Sequence, residues 1–141
     1  MKTVHAGLNC SDPIKMERFY TRYFGFTRAR VIPIENGEQI VFLKNGSFML
    51  ELFKTREKSP IPEAEKDGHV FPGVRHLAFQ VDDVDKVLTE LGEEKNISLG
   101  PFDFDDVIPG WRTVWIKDPE GNVVEVSQGY TDQDSPPVFE G

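Results

Sequence analysis

A histidine followed by a glutamate occurs at matching places in the two halves of this 141-residue chain. In the first half, His5 lies in the run TVHAGLN and Glu51 in SFMLELF; in the second, His76 lies in VRHLAFQV and Glu125 in NVVEVSQ. The histidines are 71 residues apart and the glutamates 74. A duplicated unit produces such spacing, and the chain is long enough for two small units that share one core. The sequence therefore constrains the fold to two similar halves.

Each half has the same predicted order of elements, βαβββ. In the first half an apolar strand leads into Ser11-Asp12-Pro13, which supplies a capping residue and a proline at the first helical position. Gly25 ends that helix, and two hairpin signals, Glu35-Asn36-Gly37 and Asn45-Gly46, separate the next three strands. The second half repeats this order, with Asp82-Asp83 before its helix. We predict an α+β fold of two tandem βαβββ modules whose curled mixed sheets form a metal-containing cleft.

The boundaries of these units follow from the composition of the segments between them. A single domain is predicted over residues 1–130, with module one at 3–53 and module two at 74–128. Residues 54–72 are charged, proline-rich and aperiodic, which is typical of a linker. Residues 131–141 carry acids and two prolines and are expected to form a tail.

Strand alternation points the four repeated residues to one kind of surface. In each strand the residues that alternate with the histidine or glutamate form an apolar face, such as Leu77, Phe79 and Val81 for His76, so the polar side chain lies on the opposite face. The helix of each module is expected to pack on the apolar face of its sheet. The polar residues then lie on the other face, which carries no helix. All four then face a common cavity if the two sheets curl together. Burying two carboxylates and two imidazoles there without compensation would cost several kcal/mol per charge. A divalent cation removes that cost, so the pattern predicts a metal site made by His5, Glu51, His76 and Glu125.

Other residues that could carry chemistry give weaker signals. A lone histidine is more often a surface residue than a ligand, and His69 is interpreted that way within the linker. Cys10, the single cysteine, is expected to be a small core or turn residue. The acidic run at Asp103, Asp105 and Asp106 lacks the spacing of a calcium loop and is interpreted as a solvated loop.

Charge and hydropathy limit the partners and the location. The net charge of −8 and the pI near 4.9 argue against nucleic acid as a partner. No apolar run reaches membrane-spanning length, and the first residues do not resemble a signal peptide. One cysteine allows no internal disulfide. A cytoplasmic protein with a small-molecule substrate, and without a membrane or nucleic-acid partner, is therefore expected.

Four motifs carry a resemblance to a known family. They are H-x-G-L-N at His5, F-Y-x-x-x-F-G-F from Phe19, G-V-R-H-L-A-F-Q-V-D-D-V-D from Gly73, and D-P-E-G-N-V-V-E-V from Asp118. Together they resemble the vicinal oxygen chelate superfamily over residues 3–128. That superfamily includes glyoxalase I, methylmalonyl-CoA epimerase, extradiol dioxygenases and fosfomycin-modifying enzymes.

The resemblance implies a reaction type as well as a fold. His5, Glu51, His76 and Glu125 match the His/Glu/His/Glu ligands of bacterial glyoxalase I, whereas epimerases have Gln in place of Glu51 and dioxygenases use two His and one Glu. The implied activity is that of a glyoxalase I-like lyase or isomerase, of the lactoylglutathione lyase type, acting through a metal-bound enediolate on a small carbonyl or thiol-adduct substrate. One divalent ion per site is implied, with nickel or cobalt favoured and zinc, manganese or iron as alternatives.

The same resemblance assigns catalytic roles and leaves alternatives open. Glu125 would be the catalytic base, and Glu51 would return or shuttle the proton. An epimerase or a ring-opening dioxygenase could use the same cavity. A metal-free small-molecule binding or resistance protein is a further alternative, although such proteins typically lack the metal ligands.

The substrate-binding wall is predicted from alternation and from one departure from the family pattern. Four aromatic or long apolar residues alternate onto the ligand side of their strands: Met49, Phe53, Trp111 and Trp115. For Met49 and Phe53, ordinary packing between sheets explains the position equally well. In glyoxalase I an Arg and an Asn hold glutathione; here those positions are Asn9 and Thr55. Asn9 is kept as a candidate substrate-binding residue, and Arg112 is a candidate replacement for the missing cation.

Assembly is the last expectation. The superfamily often builds its site from modules of two chains, and the acidic tail has too little apolar content to fold alone. We therefore expect a homodimer with two-fold symmetry. Whether one chain or two supply the four ligands stays open.

Overall fold

The structure, a computed structural model, describes all 141 residues and contains two modules of the same topology. Module one consists of β1 (His5–Cys10), α1 (Pro13–Tyr23), β2 (Thr27–Pro33), β3 (Gln39–Asn45) and β4 (Phe48–Lys54). Module two consists of β5 (Leu77–Gln80), α2 (Val84–Leu91), β6 (Ile97–Asp103), β7 (Arg112–Lys117) and β8 (Val123–Gln128). Short 3-10 helices lie at Glu35–Gly37 and Gly92–Glu94. The predicted α+β fold and the repeated βαβββ order are confirmed.

Each module forms one four-stranded mixed sheet. The strand orders are β1-β4-β3-β2 and β5-β8-β7-β6, and in each the first strand runs parallel to its neighbour while the others are antiparallel. Histidine and glutamate therefore come from neighbouring strands in both modules, because β1 pairs with β4 and β5 pairs with β8. The sheets are curled but do not close on each other.

Both helices begin where the sequence places a capping carboxylate. The Asp12 side chain accepts a hydrogen bond from the backbone N–H of Lys15 at 3.1 Å, and Asp83 accepts one from Lys86 at 2.9 Å. These bonds satisfy backbone donors that have no partner within the first helical turn. The apolar sides of both helices are buried against the sheets, as predicted.

One continuous core joins the two modules. It contains 18 buried residues from both helices and from the helix-side faces of both sheets. Phe79 of β5 reaches into module one, where its ring centroid lies 5.0 Å from that of Phe24 and 5.7 Å from that of Phe26. Because the helix-side faces share this core, the helix-free faces of the two sheets lie on its outer sides.

Hydrogen bonds also hold the modules together. The backbone N–H of Asp12 donates to Oε1 of Glu120 at 2.8 Å, and the Ser11 hydroxyl lies within 3.0 Å of both carboxylate oxygens of Glu120. These contacts join the start of α1 to the turn between β7 and β8. The relative placement of the two modules thus depends on polar as well as apolar contacts.

The segment between β4 and β5 contains no helix or strand, and β5 begins at Leu77. Just before β5, Arg75 and His76 both bond to Asp67 in this linker. Lys117 of β7 donates to Oε1 of Glu63 at 2.7 Å, and the Ser98 hydroxyl donates to the carbonyl of Lys66 at 2.5 Å. The linker therefore lies against the helix-free face of module two.

The tail contains no helix or strand after Gln128. Neither helix of the protein has the length and apolar character needed to cross a membrane.

Candidate metal centre

In module one, His5 and Glu51 form a pair on the helix-free face. Nε2 of His5 lies 3.2 Å from Oε2 of Glu51. Gly7 is the register partner of Glu51 on β1, so the carboxylate has room beside that strand. The Phe42 ring packs edge-on against the His5 imidazole at 5.6 Å between centroids. The two side chains are 38% and 28% exposed, so this pair is open to a ligand or to another protein surface.

In module two, His76 and Glu125 form the equivalent pair in a more enclosed setting. Nε2 of His76 lies 2.8 Å from Oε2 of Glu125, and the two side chains are 14% and 16% exposed. The buried Thr113 hydroxyl donates to Oε1 of Glu125 at 3.0 Å, which orients the carboxylate. On its other side, the imidazole bonds through Nδ1 to the backbone carbonyl of Asp67 at 2.8 Å.

The bond to Asp67 decides which nitrogen of His76 carries a proton. A backbone carbonyl can only accept, so Nδ1 must be the donor. In the neutral imidazole, Nε2 then presents a lone pair to a carboxylate oxygen 2.8 Å away. Two acceptors at that distance repel each other unless a positive charge lies with them, either a proton on Nε2 or a metal ion. Histidine ligands of metals commonly show this arrangement, with the second ring nitrogen donating to a carbonyl.

The separations within the pairs also fit metal coordination. Two donors at right angles, each about 2.1 Å from an ion, lie about 3.0 Å apart. The pairs measure 3.2 Å and 2.8 Å between Nε2 and Oε2. Imidazole nitrogen and carboxylate oxygen suit divalent zinc, nickel, cobalt, manganese and iron. Each pair can therefore occupy two adjacent positions around one ion.

The four residues do not converge within one chain. No group of three or more His, Cys, Asp or Glu side chains lies close enough to hold a metal ion. Within one chain, the His5–Glu51 and His76–Glu125 pairs are therefore separate. The shared core lies between the helix-side faces of the two sheets, and each pair lies on the opposite, helix-free face of its own sheet.

The four predicted wall residues lie on the helix-free faces, as alternation requires. In module one, Met49 and Phe53 flank Glu51 along β4, and Phe53 is 40% exposed. In module two, the indole N–H of Trp111 donates to the Ser127 hydroxyl at 2.9 Å. Trp115 is the register partner of Glu125, and its buried indole N–H has no hydrogen-bond partner. The wall residues are thus divided between the two faces, as the ligands are.

Arg112 does not replace the missing cation near the ligands. Its guanidinium binds Asp103 at 2.9 Å and Asp85 at 3.0 Å, and these two carboxylates raise the pKa of Arg112. Asp85 belongs to α2, so this arginine lies on the helix side of its sheet. Asn9 is exposed on β1 beside Phe53, its register partner on β4, and Asn9 is therefore accessible on the ligand side.

Two residues of the site were not predicted from the sequence. Thr113 orients Glu125, and Asp67 fixes His76. Alternation could have found Thr113, because it lies two residues before Trp115 on the same face of β7. No local signal could have found Asp67, because it acts through a backbone carbonyl in an irregular segment.

The weaker candidates have structural roles. Cys10 is buried, and burial raises its pKa to about 12, so the thiol is unreactive. His69 is an exposed linker residue, as predicted, that binds the Asp67 carboxylate at 2.9 Å. In the loop that contains Asp103, Asp105 and Asp106, Oδ1 of Asp105 accepts a hydrogen bond of 2.8 Å from the backbone N–H of Gly110.

Comparisons with known proteins agree with this architecture. Residues 2–126 match the family model of the Glyoxalase/Bleomycin resistance protein/Dioxygenase superfamily. The chain belongs to this superfamily. Within the superfamily, it is 35% identical over 118 residues to the uncharacterized protein YwkD of Bacillus subtilis (strain 168), covering 82% of this chain and 88% of YwkD. The resemblance proposed from the sequence motifs is therefore confirmed.

Solved structures with this fold have different functions. The crystal structure of lactoylglutathione lyase from Agrobacterium tumefaciens is 29% identical, with a TM-score of 0.58 over 91% of this chain and 93% of that one. TnmS3, an antibiotic binding protein from Streptomyces sp. CB03234, has a TM-score of 0.64 at 22% identity, over 92% of this chain and 97% of that one. The second likeness shows the fold alone. The fold is thus shared with a lyase and with an antibiotic binding protein.

Proposed function

We propose that this protein is a metal-dependent glyoxalase I-like lyase or isomerase acting on a small carbonyl or thiol-adduct substrate. The observation that carries the proposal is the pair of His–Glu contacts at equivalent strand positions, each with the separation of adjacent metal ligands. The lactoylglutathione lyase from Agrobacterium tumefaciens supports the reaction type. One divalent ion per site is proposed, with nickel or cobalt favoured. A cytoplasmic location is part of the proposal, since the lone Cys10 forms no disulfide.

We further propose that two chains complete each site. Each helix-free face offers one His–Glu pair, and no third His, Cys, Asp or Glu of the same chain lies close enough to complete a site. In a two-fold dimer, the His5–Glu51 pair of one chain can face the His76–Glu125 pair of its partner, which makes two equivalent sites. Exposed apolar side chains on the face of module one support this arrangement, among them Ile32 and Phe53 at 38% and 40% exposure.

We assign the proposed proton transfers to the carboxylates of Glu125 and Glu51. A bound divalent ion would supply a positive charge that stabilises the developing negative charge on a substrate oxygen. Glu125 is the proposed base: Oε1 is held by Thr113, and Oε2, the proposed metal-binding oxygen, would loosen from the ion as substrate binds and take a proton from the substrate carbon. Glu51, from the opposite module, would return the proton from the other side.

We propose a class of substrate, carbonyl compounds and their thiol adducts, and not one compound. Neither Asn9 nor Thr55 carries a positive charge, and Arg112 is engaged by two aspartates on the helix side. The usual means of holding the glutathione carboxylates is therefore absent from these positions. A hemithioacetal of glutathione remains the first substrate to test, followed by adducts of other thiols.

A complementation experiment tests the two-chain site directly. His5→Ala and His76→Ala proteins would each lack one ligand in every site. If two chains share each site, mixing the unfolded variants and refolding them produces heterodimers with one intact site and one doubly defective site. About a quarter of the wild-type metal capacity and activity should return. Nickel binding by calorimetry and turnover of methylglyoxal with glutathione are the readouts.

The controls separate this proposal from its alternatives. Refolding each variant alone should restore nothing, and a mixture that also restores nothing would mean that each chain builds its own site. A wild-type protein that binds no nickel, cobalt, manganese or zinc would exclude the metalloenzyme and favour a small-molecule binding protein. Oxygen uptake during turnover would favour the dioxygenase alternative.

A further inference from the structure

We propose that a linker strap, defined as residues 63–75, positions His76 for metal binding, with the carbonyl of Asp67 as the group that orients the imidazole. The inference deepens the proposed function and rests on it, because it assumes that His76 is a ligand. Its basis is the 2.8 Å bond between Nδ1 of His76 and the Asp67 carbonyl. Asp67 is therefore a positioning residue that acts through His76.

The linker strap is fixed to module two at points on both sides of Asp67. Before it, Glu63 binds Lys117 of β7 at 2.7 Å, and the carbonyl of Lys66 accepts the Ser98 hydroxyl of β6 at 2.5 Å. After it, the chain enters β5 through His76 itself. The position of the Asp67 carbonyl is thus set by contacts with the sheet that carries Glu125.

Asp67 is also held by its own side chain. The guanidinium of Arg75 pairs with its carboxylate and donates through Nε to its carbonyl oxygen at 3.2 Å. Nδ1 of His69 lies 2.9 Å from Oδ1 of the same carboxylate. The Asp67 side chain is only 15% exposed, so these bonds are partly shielded from water. They restrain the peptide that His76 uses as an acceptor.

The turn at Gly68 is the feature that brings this carbonyl to His76. Gly68 has a φ of +84°, which L side chains rarely adopt. A Cβ there would overlap the backbone carbonyl oxygen of Arg75, the residue just before His76. Any side chain at position 68 must therefore push the turn that carries the Asp67 carbonyl away from Arg75 and His76.

The equivalent histidine in module one has no such support. His5 contacts Glu51 and packs against Phe42, and Nδ1 of His5 makes no hydrogen bond within the protein. The two half-sites therefore differ, and the module-two imidazole is already oriented before an ion arrives. Losing a partner of this kind typically lowers metal affinity 10- to 100-fold.

Gly68→Ala tests the inference, with Gly37→Ala as the matched control. Gly37 also has a positive φ, +72°, but a Cβ there would meet nothing within 4 Å, and it lies in module one far from His76. Nitrogen-15 NMR of the metal-free proteins reports which ring nitrogen of His76 is protonated, and nickel calorimetry reports affinity. Wild type and Gly37→Ala should keep the proton on Nδ1. Gly68→Ala should populate the form with Nδ1 unprotonated and bind nickel about 10- to 100-fold more weakly.

A second variant keeps the test decisive if Gly68→Ala fails to fold. Arg75→Ala removes both bonds to Asp67 from a half-exposed side chain, and Arg56→Ala removes an exposed ion pair between the start of the linker and Glu38 of module one. Arg75→Ala should lower affinity and loosen the Nδ1 bond, whereas Arg56→Ala should change neither. Unchanged Nδ1 protonation and affinity in the position-68 or position-75 variant would overturn the inference. The NMR readout needs no metal, so a wild type that binds none would contradict the proposed function while the NMR still decides the role of Asp67.

Discussion

The hydroxyl of Tyr20 donates a hydrogen bond of 2.8 Å to Oδ2 of Asp118, across the junction between the two modules. Both residues are buried, at 0% and 4% exposure. Asp118 also accepts hydrogen bonds from the backbone N–H groups of Glu120 and Asn122. Because α1 is joined in this way to the turn that leads into β8, this contact helps to set how the ligand-bearing sheets are placed.

Tyr20→Phe should destabilise the protein without changing its fold. The variant removes one hydroxyl from a buried carboxylate, and we expect the free energy of unfolding to fall by about 1.5–3 kcal/mol, the typical value for a hydrogen bond to a charged group. Urea unfolding measures this change. Tyr23→Phe is the control, because Tyr23 lies on the same helix, is partly exposed and makes no side-chain hydrogen bond. Equal losses in the two variants would contradict a special role for the Tyr20 bond.

The cost of Tyr20→Phe should also depend on pH. Burial raises the pKa of Asp118 above its ordinary value, while hydrogen bonds from Asn122 and Tyr20 oppose the rise. The raised pKa means that Asp118 favours folding most at acid pH, and this contribution is lost as pH rises through the folded-state pKa. Without the Tyr20 hydroxyl that pKa rises further, so the folded variant binds more protons than wild type. The difference in unfolding free energy should therefore grow as pH rises above the ordinary pKa of an aspartate, about 4. A constant difference would exclude this coupling.

Glu125→Gln should separate catalysis from metal binding. Glutamine keeps an oxygen donor of nearly the same shape but cannot act as a base, so we expect metal to be retained at lower affinity while turnover falls by about two to four powers of ten. Glu90→Gln, on an exposed face of α2, serves as the control. Turnover of Glu125→Gln at the wild-type rate would transfer the role of base to Glu51.

Thr113→Val should weaken the metal site while leaving the fold intact. Valine fills nearly the same volume but removes the hydroxyl that holds Oε1 of Glu125 at 3.0 Å. We expect nickel affinity to fall about 10-fold or more, in line with the loss of other groups that orient metal ligands. Calorimetry measures the change, with Thr89→Val as a control at an exposed helical position. Unchanged affinity would show that Thr113 does not position the carboxylate.

The order of helices and strands along the chain, and the placement of each histidine with its glutamate, could be predicted from the sequence. The repeated order of apolar runs, caps and glycines predicts both modules, and alternation predicts that His5 and Glu51 share a face. Each of these features depends on residues close together in the chain. The structure confirms the order of helices and strands in both modules and the shared face of His5 and Glu51.

The pairing of ligands across modules could not be predicted in this way. Whether His5 meets His76 depends on contacts such as Phe79 with Phe24, which join residues from different modules through the core. The ion pair of Arg112 with Asp85 could not be predicted either, because Asp85 lies on a helix 27 residues away in the sequence.

Local patterns thus determined the modules, the helix caps and the face on which each histidine and glutamate lies, because backbone periodicity acts over a few residues. Tertiary structure alone decided that the two His–Glu pairs stay separate within one chain and that the Asp67 carbonyl reaches His76. The physical reason is that both depend on long-range packing and on main-chain hydrogen bonds. A carbonyl oxygen is present at every residue, so the sequence carries no sign of which one a distant imidazole will meet.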